Sequence, residues 1–125
     1  MAKSQFQATF SKGKQKISVQ LIVYIWEENE LTFVYSPSLD ITGYGKNEEE
    51  AKLSFEHTLK EFVNYTNNKK TIFDELESLG WTVNRKKKRV NAPNIEELKE
   101  DNSAFKTLLK RANVRQENRS VQLAF

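Results

Sequence analysis

The segment Leu31 to Val63, LTFVYSPSLDITGYGKNEEEAKLSFEHTLKEFV, restricts the fold more than any other part of the chain. Leu31, Phe33 and Tyr35 alternate with Thr32, Val34 and Ser36, the period of two that marks a strand. Pro37 ends that strand, and a second short strand is expected from Leu39 to Tyr44. Gly43 and Gly45 would free the backbone for positive φ at the exit toward a helix. Asn47 is a natural N-cap, followed by Glu48, Glu49 and Glu50, where the helix dipole favours negative charge. Ala51, Phe55, Leu59, Phe62 and Val63 then recur at spacings of three and four, which gives the helix one apolar face. Such a helix must lie across a sheet.

The flanking segments extend this pattern. Gln5 to Phe10 reads as a leading strand, Lys12 to Lys16 as a polar turn around Gly13, and Ile17 to Glu27 as a long strand. In that strand Val19, Leu21, Val23 and Ile25 alternate with Gln20, Ile22, Tyr24 and Trp26, so both faces carry apolar groups, as a central strand does. Glu28 and Asn29 are expected to turn it back into the Leu31 strand as an antiparallel hairpin. After a polar connection from Asn64 to Lys70, Thr71 caps a shorter helix with Ile72, Phe73, Leu76 and Leu79 inside, and Gly80 stops it. Trp81 reads as a core anchor. Val83 and Val90 flank a hairpin whose tip is Arg85 to Arg89. Asn94 caps a helix over Ile95 to Glu100, Ser103 caps another with Phe105, Leu108, Leu109 and Ala112 on its apolar side, and Ser120 to Phe125 alternates as a final strand. The expected fold is therefore α+β: a three- or four-stranded antiparallel sheet covered by an amphipathic helix, with a C-terminal hairpin, helices and strand. Residues 1–80 would form the core and 81–125 an extension packed on it, not an independent domain.

The strand, glycine turn, acidic cap and "EEA" helix resemble the HicB-like antitoxin family, whose core is a trimmed RNase-H-like fold. Pro37, Leu39, Gly45, Glu49, Glu50 and Ala51 fit the family pattern over roughly residues 17 to 67, and Asn47 stands where the capping Thr usually is. Ser38 replaces the usual Asp, and the turn is one residue shorter and lacks its Pro-Gly. The resemblance implies a bacterial, non-enzymatic toxin–antitoxin regulator that occludes a small basic RNA-cleaving toxin and often forms a homodimer. It places partner contacts at Tyr35, Pro37, Leu39 and Tyr44. The family's DNA-binding modules have no counterpart in the order hairpin, helices, strand at this C-terminus.

Charge suggests an alternative. Residues 47 to 83 hold four lysines against eight acids, a net of −4, whereas residues 84 to 125 hold eleven basic residues against five acids, a net of +6. Arg85, Lys86, Lys87, Lys88 and Arg89 supply most of the excess, and such a run fits phosphate contact with a nucleic acid as well as it fits a solvated hairpin tip. Tyr24, Trp26, Phe33, Tyr35 and Tyr44 could stack single-stranded bases beside it, or serve as core and cross-strand pairs.

Chemistry is sparse. The chain has no cysteine and one histidine, His57, which falls toward the polar side of the main helix, so no thiolate or His/Cys metal site is available. Asp40 and Glu48 to Glu50 could help bind a metal, but the glutamates are accounted for by a helix N-terminus. No Walker loop, dinucleotide fingerprint or nucleophile motif is present. No catalytic residue, metal or cofactor is expected. Val19 to Trp26 is too short to span a bilayer, and a cytoplasmic location without membrane contact is expected.

Overall fold

A computed structural model describes residues 6–11, 14–69, 71–87, 89–111 and 113–124. The expectations that rest on Gln5, Lys12, Gly13, Lys70, Lys88, Ala112 and Phe125 lie outside these residues. In chain order the elements are β1 (Phe6–Ser11), β2 (Lys14–Glu28), β3 (Leu31–Ser36), β4 (Ile41–Gly45), α1 (Glu48–Lys69), α2 (Ile72–Ser78), β5 (Thr82–Asn84), β6 (Arg89–Asn91), α3 (Ile95–Asp101), α4 (Ser103–Leu108) and β7 (Arg115–Ala124). No helix among the described residues is long and apolar enough to cross a membrane.

The long strand β2 organises the sheet. Along one edge it pairs with β1 through Lys14 to Val19 and with β3 through Tyr24 to Glu28. The other edge is taken by β7, which pairs with Lys16 to Ile25. A residue has one neighbour per edge, so the order across the sheet is β7, β2, β3, β4, with β1 in line with β3. Every pairing is antiparallel. The β2–β3 turn is closed by the pair Glu28 and Leu31, which moves it one residue beyond the expected position, to Asn29 and Glu30. Both have left-handed φ, 54° and 66°, which matches the twist of a two-residue hairpin.

Period-two alternation in β2 sends two apolar sets to opposite faces. Val19, Leu21, Val23 and Ile25 meet Ala51, Phe55 and Leu59 of α1, with Val34, Ile41, Leu76, Trp81, Val90 and Val121 in the same core. Burying Phe55, 2 % exposed, contributes about 1.5–3 kcal/mol. Ile22, Tyr24 and Trp26 on the other face meet Phe105 and Leu108 of α4. The sheet is thus covered on both sides. Three residues of the core shared with α1, Trp81, Val90 and Val121, come from beyond Gly80.

Gly43 and Gly45 have a role other than the expected one. The positive φ values among the described residues belong to Asn29, Glu30, Asp40 and Gly80. A Cβ on Gly43 would instead lie 2.3 Å from the Phe55 amide nitrogen and 2.7 Å from the Ala51 carbonyl oxygen, and one on Gly45 would lie 2.8 Å from the Ala51 nitrogen. These glycines let α1 cross β4 at backbone contact. The helix starts as expected: Asn47 Oδ1 accepts from the Glu50 amide at 2.9 Å, and Glu50 reaches back to the Lys46 amide at 3.0 Å.

Other ends follow the same logic with some corrections. Gly80, φ 94°, stops α2: its N–H donates to the Glu77 carbonyl and that of Trp81 to the Leu76 carbonyl, a Schellman motif. Thr71 stands at the N-cap but its hydroxyl caps nothing. Asn102, not Ser103, caps α4 by accepting from the Phe105 amide. Asp40 and Leu39 lie in the turn before β4, not on a strand.

The last strand begins at Arg115, five residues before its expected start. Its early residues Arg115, Glu117 and Arg119 face α1, in register with Ile25, Val23 and Leu21. They meet Glu48, Lys52 and Glu56: Arg115–Glu48 at 2.6 Å, Glu117–Lys52 at 3.3 Å, and Arg119 with Glu56. Four helical residues advance about 6 Å and two strand residues about 6.6 Å, so the alternating charges stay in step over all three rungs.

Candidate functional site

On the face away from α1, the registers of β2, β3 and β4 set Trp26 opposite Phe33 and Phe33 opposite Tyr44. Trp26 and Phe33 stack with centroids 5.3 Å apart and planes at 16°, and Phe33 and Tyr44 lie 6.3 Å apart. This row crosses three strands. Its outer end is open, with Tyr44 61 % exposed, while Trp26 and Phe33 are half-buried.

The inner end of the row borders α4. Phe105 sits edge-on to Tyr24 at 5.3 Å and to Tyr35 at 6.0 Å, which fixes the helix on the sheet. Asn102 serves twice: its Oδ1 caps α4, and its Nδ2 donates to the Tyr35 hydroxyl at 3.4 Å. Tyr35 in turn donates to Asp40 Oδ1 at 3.0 Å. Burial first, and then the Asp40 carboxylate, push the Tyr35 hydroxyl well above the usual phenol range, so it remains a donor. Burial also raises Tyr24, with a smaller contribution from Glu96.

Between α4 and the aromatic floor lies a cleft of about 560 Å³. Trp26, Tyr35, Phe105 and Leu108 supply its apolar walls, and Glu28, Asp40 and Arg111 its charges. Arg111 pairs with Glu28 at 3.3 Å, and the Trp26 indole N–H donates to the other Glu28 oxygen, also at 3.3 Å.

The residues singled out from sequence are separated. Tyr35 lines the cleft and Tyr44 is exposed, but Leu39 is 3 % exposed and Pro37 is buried as well, so their side chains face the core. The Trp81 indole donates to the Ser38 carbonyl at 2.7 Å and closes that turn from inside. Arg85 is drawn onto α2 by Asp74 at 2.6 Å and Glu77 at 2.5 Å, with its guanidinium 5.7 Å from the Phe73 ring centroid. Lys86 and Lys87 are exposed in the turn and Arg89 is exposed on β6, while Lys88 lies outside the described residues. His57 is exposed and lies 3.3 Å from Glu61.

Sequence reasoning missed Glu28, Asn102, Phe105 and Arg111 as one constellation. The signal was the second apolar face of β2, which requires a cover, and Asn102 three residues before Phe105, a capping spacing. Among the described residues no three His, Cys, Asp or Glu side chains are grouped to hold a metal ion. The arrangement offers stacking surfaces, oriented carboxylates and hydrogen-bond donors, which suits recognition. No family model, no curated protein and no solved structure matches the chain.

Proposed function

We propose that the chain is a non-catalytic regulator of the HicB-like antitoxin kind, which binds a small basic RNA-cleaving protein and blocks its active surface. The observation that carries this reading is the open aromatic row Trp26, Phe33 and Tyr44 beside a cleft that carries the carboxylates Glu28 and Asp40. Aromatic side chains give large contact area at small entropic cost and are enriched in protein interfaces, and flanking carboxylates steer a cationic partner. The family's contact region, as the resemblance implies it, thereby narrows to Tyr35 and Tyr44, joined by Trp26 and Phe33.

The test is purification from the native host at native expression, followed by an RNA-cleavage assay on whatever protein accompanies the chain. A stoichiometric small basic ribonuclease, inhibited by the wild type and at least tenfold less by Tyr44→Ala, is the expected result. Absence of any protein partner overturns it. Exposed Lys86 and Lys87 favour a second reading, nucleic-acid binding through phosphate contacts. Under it nucleic acid co-purifies, and reversing both lysines to glutamate abolishes salt-sensitive binding.

A further inference from the structure

We propose that the cleft beneath α4 is a receptor for an arginine side chain of the partner. The inference rests on the protein-binding reading and names the chemistry by which that partner is gripped.

The cleft has the two parts an arginine needs. Its walls, from Trp26, Tyr35, Phe105 and Leu108, match the three methylenes of the side chain and the flat face of its guanidinium. Among its polar lining residues are two carboxylates, Glu28 and Asp40, beside the chain's own Arg111. These two are not in the same condition. Glu28 already holds a guanidinium, that of Arg111 at 3.3 Å, so the chain itself demonstrates that this lining accepts one. Asp40 is exposed and takes part in none of the ion pairs among the described residues. It is nevertheless oriented: Tyr35 donates to one of its oxygens, and Asn102 donates to Tyr35. The left-handed backbone of Asp40, φ 56°, holds it at the turn that borders the cleft. A fixed carboxylate beside aromatic rings lacks only the cation.

The volume, about 560 Å³, exceeds one side chain and leaves room for the residues that flank the arginine. Lysine fits less well, since an ammonium neither stacks as a plane nor bonds a carboxylate through two parallel donors.

The two tryptophans make the experiment self-controlled. The Trp26 indole N–H lines the cleft, whereas that of Trp81 is buried against the Ser38 carbonyl. The full ¹⁵N-labelled chain is titrated with the capped peptide Ac-Gly-Arg-Gly-NH₂, with its citrulline and lysine counterparts, and with a short single-stranded oligonucleotide. The expected result is a saturable shift of the Trp26 indole signal with millimolar affinity, the Trp81 signal staying fixed. Citrulline in place of arginine, or Asp40→Asn in the protein, should weaken binding at least fivefold; asparagine tolerates the left-handed backbone, so this variant keeps the turn.

No saturable shift with the arginine peptide overturns the proposal. So does equal binding of the citrulline peptide, or an oligonucleotide that shifts Trp26 while the arginine peptide does not. Arginine binding by a chain that purifies with no protein partner supports the cleft and refutes the inhibitory role. A stoichiometric partner whose binding is insensitive to Asp40→Asn does the reverse.

Discussion

Replacing Gly43 by alanine tests how α1 is seated. The added Cβ would stand 2.3 Å from the Phe55 nitrogen, 2.6 Å from its Cα and 2.7 Å from the Ala51 carbonyl oxygen, all backbone atoms that no rotamer change can move. Ordinary contact begins at 3.4 Å, so the helix must retreat by the difference, 1.1 Å. A gap of that size forfeits up to about half of each dispersion contact across the α1–β4 seam, and overpacking of this kind costs typically about 1–3 kcal/mol. The rigid obstacle puts Gly43→Ala at the upper end, roughly 3 kcal/mol, or a fall in Tm on the order of 10 °C for a domain of this size. Gly80→Ala is the control. There the nearest atom is Pro93 Cβ at 3.5 Å and the penalty is the left-handed φ of 94° alone, about 1 kcal/mol. Urea unfolding of the two variants beside the wild type decides the matter. If Gly43→Ala is no more destabilising than Gly80→Ala, the close-approach reasoning is wrong.

Other perturbations probe separate features. Hydrogen bonds from Arg115 first and Lys52 second hold Glu48 at about 2, below its ordinary 4.5, so its ionised form stabilises the fold above pH 4.5 and that contribution fades as pH falls toward 2. Melting curves should therefore show the wild type losing its advantage over Glu48→Gln across that window; a constant difference would rule out the ion pair as the cause. Glu30→Gly removes a side chain from a residue at φ 66° and should stabilise the β2–β3 turn by about 0.5–1 kcal/mol in urea unfolding, where a loss would contradict the turn geometry. Trp81→Phe deletes the bond to the Ser38 carbonyl and leaves that oxygen unpaired in the core, a cost of about 1–3 kcal/mol. A stability change under 0.5 kcal/mol would show that the carbonyl finds another donor.

The elements readable from sequence were those whose cause is local. The apolar spacing of Ala51, Phe55 and Leu59, the cap at Asn47 and the stop at Gly80 each act within a turn or two of chain, and the structure has all three. The first half of β7 was hidden because Arg115, Glu117 and Arg119 read as solvent-facing charge, while the residues that give them a place, Glu48, Lys52 and Glu56, are more than 60 positions away. Glycine carries two possible signals, freedom of φ and absence of bulk, and only the position of α1 reveals which one Gly43 supplies. The cleft was legible in outline, since a strand apolar on both faces needs two covers. Its charges were not, because Glu28, Asp40 and Arg111 meet only through the docking of α4.

The pairing of β7 with β2 also governs the order in which the molecule can assemble. The hairpin β2–β3 and the step from β4 to α1 join neighbours in the chain, so they form at little cost in loop entropy. Ile25 and Arg115, by contrast, are separated by 90 positions and Lys16 and Ala124 by 108. These closures come late and dominate the contact order, which slows folding. A chain emerging from the ribosome would hold β2, β3, β4 and α1 with one long edge of β2 still unpaired until β7 follows, and that bare edge is the stretch most exposed to wrong partners before the sheet is complete.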